Sequence, residues 1–233
     1  MASPAEAKGS EMDGYQRYAV YWCPEAGSAL AAAGAGWLGW DLYQRAACEA
    51  SVDPALTNRA RRYGFHGTLK APFRLAERVT AADLDAALGA LAAGLAAFET
   101  PPLVLDDAPG FPCLHLSAPC PELDALAAAC VTELDRFRAP LTEEERARRL
   151  ASGLSAEDTA RLDRWGYPHV LEAFRFHLTL ARPLEPGEAD TVLPAARAHF
   201  AAHVGQPLRI GTLSLAGDPG AGFHHLATHA LTG

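Results

Sequence analysis

The stretch Phe174-Arg175-Phe176-His177-Leu178-Thr179-Leu180 decides how this chain is read. Side chains of a strand alternate between its two faces. Phe174, Phe176, Leu178 and Leu180 therefore share one face, and Arg175, His177 and Thr179 share the other. The segment Phe65-His66-Gly67-Thr68-Leu69-Lys70 repeats the pattern, with Phe65 and Leu69 opposite His66, Thr68 and Lys70. Both segments are expected to bury an apolar face and to present a histidine, a threonine and one cation on the other. Phe65 and Phe176 should point into the core, and both imidazoles into one groove.

Outward from these segments the chain alternates strands and helices. Tyr15–Cys23 is aromatic and β-branched, with Pro24 after it, and predicts a strand. Trp37–Glu49 reads as helical, and the Gly/Ala run Ala31–Gly36 as a turn between helices without a phosphate-loop lysine. Phe65–Lys70 is a strand stopped by Pro72. Thr80 is an N-cap with Asp83 three residues on, opening a helix to about Ala97. Strands at Leu103–Leu105 and Cys113–Ser117 and a helix over Pro121–Phe137 follow. Thr142–Trp165 is a charged helical pair with starts at Thr142 and Ser155. Ala173–Ala181 is a strand, Pro186–His203 a helix, and Leu208–Leu215 and Gly222–Leu231 are strands. The order strand–helix–strand–strand thus occurs twice, a duplication of topology rather than of residues. The expectation is an α+β, bilobal, duplicated fold: two antiparallel sheets flank a central cleft, with helices outside. Residues 1–14 read as a disordered polar tail, and 15–233 as one bilobal domain with a helical insertion at about 140–166.

Composition narrows the function. The 233 residues carry a formal charge of −8, from 20 Lys+Arg against 28 Asp+Glu. That balance disfavours a long nucleic-acid partner, whose phosphates reward a basic surface. A small phosphate ester needs only local cations. No apolar run is long enough to span a membrane, and the N-terminal stretch lacks the apolar segment of a signal peptide. Five cysteines without Cys-x-x-Cys spacing point to reduced thiols, hence a cytoplasmic protein as the expectation, and a monomer is expected.

The two strands carry a set suited to a cyclic phosphate. Opening the ring with water needs a base for the nucleophile's proton and an acid for the leaving oxygen. Two imidazoles with ordinary pKa values near 6.5 can divide those roles at neutral pH. Thr68 and Thr179 hydroxyls suit non-bridging phosphate oxygens, and Lys70 and Arg175 suit the growing negative charge. No metal or other cofactor is called for. The bare spacing is weak evidence, since nine histidines among these residues give about one His-x-Ser/Thr by chance, and three occur. His115/Ser117 is read as the chance hit. The other two stand out by their strand setting, their added cation and their equivalent places in the two halves.

At these residues the sequence resembles the two-histidine phosphoesterase superfamily, through His66-Gly-Thr68-Leu and His177-Leu-Thr179-Leu, about 110 residues apart. RRYGFHGTLKAPFRLA from Arg61 and RWGYPHVLEAFRFHLTL from Arg164 resemble its branch associated with phosphonate-utilisation operons. The resemblance implies a bilobal α+β fold, facing His-Thr motifs and metal-independent hydrolysis of a cyclic phosphodiester. For this branch it implies 5-phosphoribosyl 1,2-cyclic phosphate as the small-molecule substrate, in phosphonate metabolism.

Alternatives remain at this level. An enzyme of RNA 2′,3′-cyclic phosphate ends, ligase-like or hydrolytic, would use the same set, as would a non-catalytic nucleotide-binding module. Tyr21 either reaches the ligand or packs in the core. Thr142–Trp165 is either a lid, hinged near Arg164, Trp165 and Tyr167, or a surface hairpin. His199 and His203 lie one helical turn apart without a carboxylate partner, and with His224, His225 and His229 they are set aside as a metal site.

Overall fold

The computed structural model describes residues 12–108 and 110–233. Its elements in chain order are β1 (Arg17–Trp22), α1 (Ala29–Leu38), the short pair β2 (Trp40–Asp41) and β3 (Ala46–Ala47), α2 (Pro54–Arg61) and β4 (Gly67–Phe73). They continue with α3 (Ala81–Ala93), β5 (Phe98–Glu99), β6 (Leu103–Asp106), β7 (Cys113–Leu116), α4 (Pro121–Glu133), α5 (Glu143–Leu150) and α6 (Ala156–Trp165). The chain closes with β8 (His177–Thr179), α7 (Ala189–His199), β9 (Arg209–Ile210), β10 (Thr212–Asp218) and β11 (His224–Ala230). Among the described residues no helix is long and apolar enough to cross a membrane.

Seven strands form one antiparallel sheet in the order β11-β10-β1-β4-β8-β7-β6. The expectation of two sheets across a groove is corrected: they are joined edge to edge. The joint between β4 and β8 rests on the single register pair Gly67–Leu178. Each of these residues directly follows its histidine, so the seam is centred between the two motifs. The element order strand–helix–short strand–strand–strand occurs as β4-α3-β5-β6-β7 and as β8-α7-β9-β10-β11. The short strands of the two runs also meet, where β5 pairs with β9 through Phe98–Ile210 and Glu99–Arg209. The hairpins are exchanged: β6–β7 lies beside β8, and β10–β11 lies on the β4 side, with β1 between.

One face of the sheet is covered by α3, packed on β10 and β11, α4 on β4, and α7 on β6. Leu84 and Leu88 of α3 are fully buried there; each contributes about 1.5–3 kcal/mol by leaving water. Thr80 caps α3 in a reciprocal box with Asp83, as expected; such a cap contributes about 1 kcal/mol. The other face carries only a small cluster of Ala19, Tyr21, Cys23, Leu42, Ala216 and Phe223. An antiparallel sheet readily leaves one side to solvent or ligand, and here that side bears the histidines.

Several local expectations are corrected. Ala31–Gly36 lies inside α1, which Ser28 caps. Gly34 belongs there because a Cβ would come within 2.1 Å of the Phe65 ring. Gly39, at φ 74°, ends α1, so residues 40–49 form the β2–β3 hairpin instead of a helix. Asp41 shapes that turn by accepting from the Tyr43 and Gln44 amides. The β4 strand does not stop at Pro72 but runs to Phe73. The strand expected over 173–181 shrinks to His177–Thr179, since residues 171–173 form a 3-10 turn. Of the expected tail, residues 1–11 lie outside the described residues. Met12 is buried, and its carbonyl accepts from the Tyr18 hydroxyl.

Candidate active site

The seam brings the two His-x-Thr motifs together. Antiparallel counting from Gly67–Leu178 sets Thr68 opposite His177 and His66 opposite Thr179. Phe65, Leu69, Phe174, Phe176, Leu178 and Leu180 are buried, whereas His66, Thr68, His177 and Thr179 are half-buried on the open face. The face alternation expected of both motifs is therefore present. Gly67 is required for the close approach, because a Cβ would sit 2.2 Å from Cε2 of Phe176.

Both imidazoles are held in the same way. His66 Nδ1 donates to the Gly64 carbonyl at 2.9 Å, and His177 Nδ1 donates to the Arg175 carbonyl at 2.8 Å. Each acceptor lies two residues upstream. Gly64 can aim its carbonyl because it adopts φ 73°, a region open to glycine at little cost. These bonds assign the Nδ1–H tautomer to both rings and leave Nε2 as the lone-pair nitrogen. At His66 that nitrogen accepts from the Thr68 hydroxyl at 2.9 Å. The Tyr21 ring lies against the His66 ring, with centroids 3.7 Å apart.

Electrostatics set the protonation of the pair. Burial pushes the His66 pKa down to about 4, the His177 charge adds to this, and the Gly64 carbonyl opposes it. Burial also lowers the His177 pKa, helped by the charges of His169 and His115 and opposed by the Arg175 carbonyl. Both shifts favour the neutral ring. The arrangement offers two proton acceptors, one of which becomes a donor once protonated.

Two expected members lie elsewhere. Val20 pairs with Lys70 and Tyr21 with Thr68, so β4 carries one extra residue between these pairs. This bulge turns Lys70 off the histidine face. Its ammonium donates to the Val131 carbonyl of α4 at 3.0 Å and lies 3.8 Å from Asp135. Burial lowers its pKa to about 8. Arg175 is exposed, and its guanidinium donates to the Glu172 and Phe174 carbonyls of the preceding turn. Neither expected cation points into the groove. Tyr21 is fully buried, and among the described residues its hydroxyl finds no partner. Its ring lies against that of His66.

The structure adds groups that the sequence reading missed or set aside. His115, taken as a chance hit, is the register partner of His177, and its Nε2 meets Asp106 at 2.9 Å. Only the β7–β8 pairing reveals it. Beside the seam opens a cavity of about 720 Å³, bordered by the loop after α2 and the α5–α6 hairpin. Its wall residue Tyr63 has its ring 6.3 Å from that of His66. The signal in the sequence was the pair of basic clusters Arg59–Arg62 and Arg146–Arg149 in an acidic chain.

The fold and site thus define a mixed α/β protein with paired histidines on the open face of a single antiparallel sheet, next to a cationic cavity. By sequence, the chain belongs to the family described as "Protein of unknown function (DUF1045)", whose model matches residues 68–224. That match begins two residues after His66 and contains Thr68, His177 and Thr179. Two curated relatives carry the name "Ribose 1,5-bisphosphate phosphokinase PhnN". The protein from Janthinobacterium sp. (strain Marseille) is 41% identical over 221 residues, covering 89% of this chain and 49% of the relative. The protein from Laribacter hongkongensis (strain HLHK9) is 36% identical over 214 residues, covering 89% and 50%. The chain therefore spans about half the length of these relatives.

Proposed function

We propose that this protein is a metal-independent phosphodiesterase of the two-histidine class that hydrolyses 5-phosphoribosyl 1,2-cyclic phosphate in phosphonate catabolism. The observation that carries this reading is the pair of imidazoles centred on Gly67–Leu178, each with Nδ1–H tied to a carbonyl and Nε2 as its lone-pair nitrogen, which at His66 meets the Thr68 hydroxyl. His66, with the lower pKa, takes the proton from water as the water oxygen attacks phosphorus. Protonated His177 delivers a proton to the leaving sugar oxygen as its bond to phosphorus breaks. One water is consumed, and a cyclic diester becomes a phosphomonoester and a hydroxyl. Thr68 and Thr179 hydroxyls bind the non-bridging oxygens.

The relatives' name bears on which bond opens. A phosphate-loop kinase needs G-x-x-x-x-G-K-[ST], yet the only lysines here are Lys8 and Lys70, in Ala-Lys-Gly and Leu-Lys-Ala. The kinase chemistry in the name is assigned to the rest of those longer proteins. The half they share with this chain then supplies their named substrate, ribose 1,5-bisphosphate. Breaking the bond from phosphorus to O2 of a 1,2-cyclic phosphate leaves a 1-phosphate and yields that compound. Phosphorus NMR of the reaction, run with EDTA, should show the cyclic signal replaced by the 1-phosphate monoester at an unchanged rate. A 2-phosphate product would reject the bond assignment, and no consumption would reject the activity.

The pH profile follows from the two shifts. The base must be neutral, so kcat/KM rises as pH passes upward through about 4, the value for His66. The acid must be protonated, so kcat/KM falls as pH passes through the His177 pKa, which is held below its ordinary 6.5. A bell with its maximum between these limits is expected. A rate still rising above about pH 8 would contradict the assignment of roles.

A further inference from the structure

We propose that the cavity beside the histidine pair is a second phosphate site, which holds a phosphomonoester on the same molecule whose cyclic diester lies at the seam. This rests on the hydrolytic reading above and adds to it the place in the fold where the substrate's terminal phosphate is held.

Charge is the first argument. The chain is formally −8, yet the cavity is lined by seven arginines and Lys70 against the single carboxylate Glu145, a formal +7. Such segregation is an anion site unless the cations are already matched, and most of them are. Arg17 and Arg62 hold Asp218, Arg74 holds Glu145, and Arg138 holds Asp135. Lys70 is tied to a backbone carbonyl. Arg59, Arg148 and Arg149 are left. Arg148 lies 4.0 Å from Glu144, but both side chains are largely exposed, so that pair contributes little. Among the described residues no salt bridge is formed by Arg59 or Arg149. Arg149 instead lies over the Tyr167 ring at 5.0 Å.

Convergence is the second argument. Arg59 comes from α2 and Arg149 from α5, ninety residues later, and both border one cavity with Tyr63 and Tyr167. The charges of both arginines also act on the Tyr167 hydroxyl. Planar guanidinium forks and tyrosine hydroxyls are the donors that recognise a phosphomonoester dianion. The α5–α6 hairpin is fixed in place by Arg146–Asp163 within it and by Arg164–Asp135 to the body. It walls the cavity with Glu145, Arg148 and Arg149.

Distance and size are the third. Tyr63 links the cavity to His66, and His169, on the same wall as Tyr167, is near enough to His177 to act on its charge. A cavity of about 720 Å³ exceeds what one phosphate fills and falls in the range for a small-molecule site. A phosphorylated sugar reaching from the cavity to the seam fits that volume. A polynucleotide would call for an open basic stripe instead.

The test uses two substrates and one binding probe on the full chain. Wild type should prefer 5-phosphoribosyl 1,2-cyclic phosphate over ribose 1,2-cyclic phosphate by at least about a hundredfold in kcat/KM, for two guanidinium contacts. Arg59→Ala and Arg149→Ala should each reduce that preference at least tenfold through KM, and Arg149→Lys should restore part of it. Calorimetry with ribose 5-phosphate should show binding to wild type and to His66→Ala, lost in the Arg59→Ala/Arg149→Ala double variant. Circular dichroism checks that each variant is folded. Equal binding by wild type and the double variant, or none by wild type at millimolar probe, would overturn the site while leaving hydrolysis intact. Arginine-dependent binding without turnover of either cyclic phosphate would keep the site and reject the hydrolytic reading.

Discussion

Replacing His66 or His177 with alanine is expected to lower kcat for cyclic phosphate hydrolysis at least about a hundredfold, the usual weight of one positioned acid or base. In the proposed mechanism each ring supplies a separate proton transfer, so neither substitutes for the other. The double variant is expected to be little worse than either single one, because groups acting as a unit lose their joint contribution at the first removal. The folded state should survive, since both rings are half-buried on the open face and make only local hydrogen bonds. Steady-state rates together with thermal melts check this. A folded His177→Ala protein with near wild-type kcat would remove His177 from the chemistry.

The second large effect lies at a residue without a side chain. Gly67→Ala is expected to destabilise the protein by about 2–3 kcal/mol, as overpacking of a tight contact does. Its Cβ would fall 2.2 Å from Phe176 Cε2, and Phe176 is itself wedged against Trp22. At this chain length such a loss lowers Tm by roughly 5–10 °C. The same shift would part β4 from β8 at their one register pair, so kcat should fall with stability. Phe176→Leu makes room, and in the Gly67→Ala background it should recover part of both, with a coupling of about 0.5 kcal/mol or more. Additive losses in the double variant would mean that the ring and the glycine are not in conflict. Melts of the four proteins decide it.

What the sequence disclosed was local, and what it hid was assembled at a distance. Period-two alternation in FRFHLTL and FHGTL placed the phenylalanines and leucines inward and both His-Thr pairs outward, because strand geometry alone dictates that. The same rule failed two residues later at Lys70, since a bulge opposite β1 shifts the parity and no local pattern announces it. Thr80, Thr142 and Ser155 were legible as caps because their bonds close within three residues. Ala31–Gly36 was not legible as helix. Its small residues look like a breaker until the Phe65 ring that needs Gly34 is in view. The joining of two expected sheets into one rests on a single register pair. His115 gained its place only through β7–β8 pairing, and the arginines only because α2 and the α5–α6 hairpin border one cavity.

The single register pair Gly67–Leu178 brings the two motifs together on the open face. On the proposed reading the ligand lies over the seam, with the cationic cavity to one side. Neutral imidazoles suit this setting: a phosphate entering between them raises both pKa values, because an opposite charge favours the protonated ring. Under the proposed hydrolysis, the acid would thus be charged by its own substrate.

The central claim is that one phosphorus atom lies between His66 and His177. A crystal structure of the protein with orthovanadate and ribose 5-phosphate tests it most directly, since five-coordinate vanadium imitates the in-line transition state. The expected result places vanadium over the Gly67–Leu178 seam, with the two Nε2 atoms within about 3 Å of opposite apical oxygens. Vanadate bound by one imidazole alone, or away from the seam, would contradict the account.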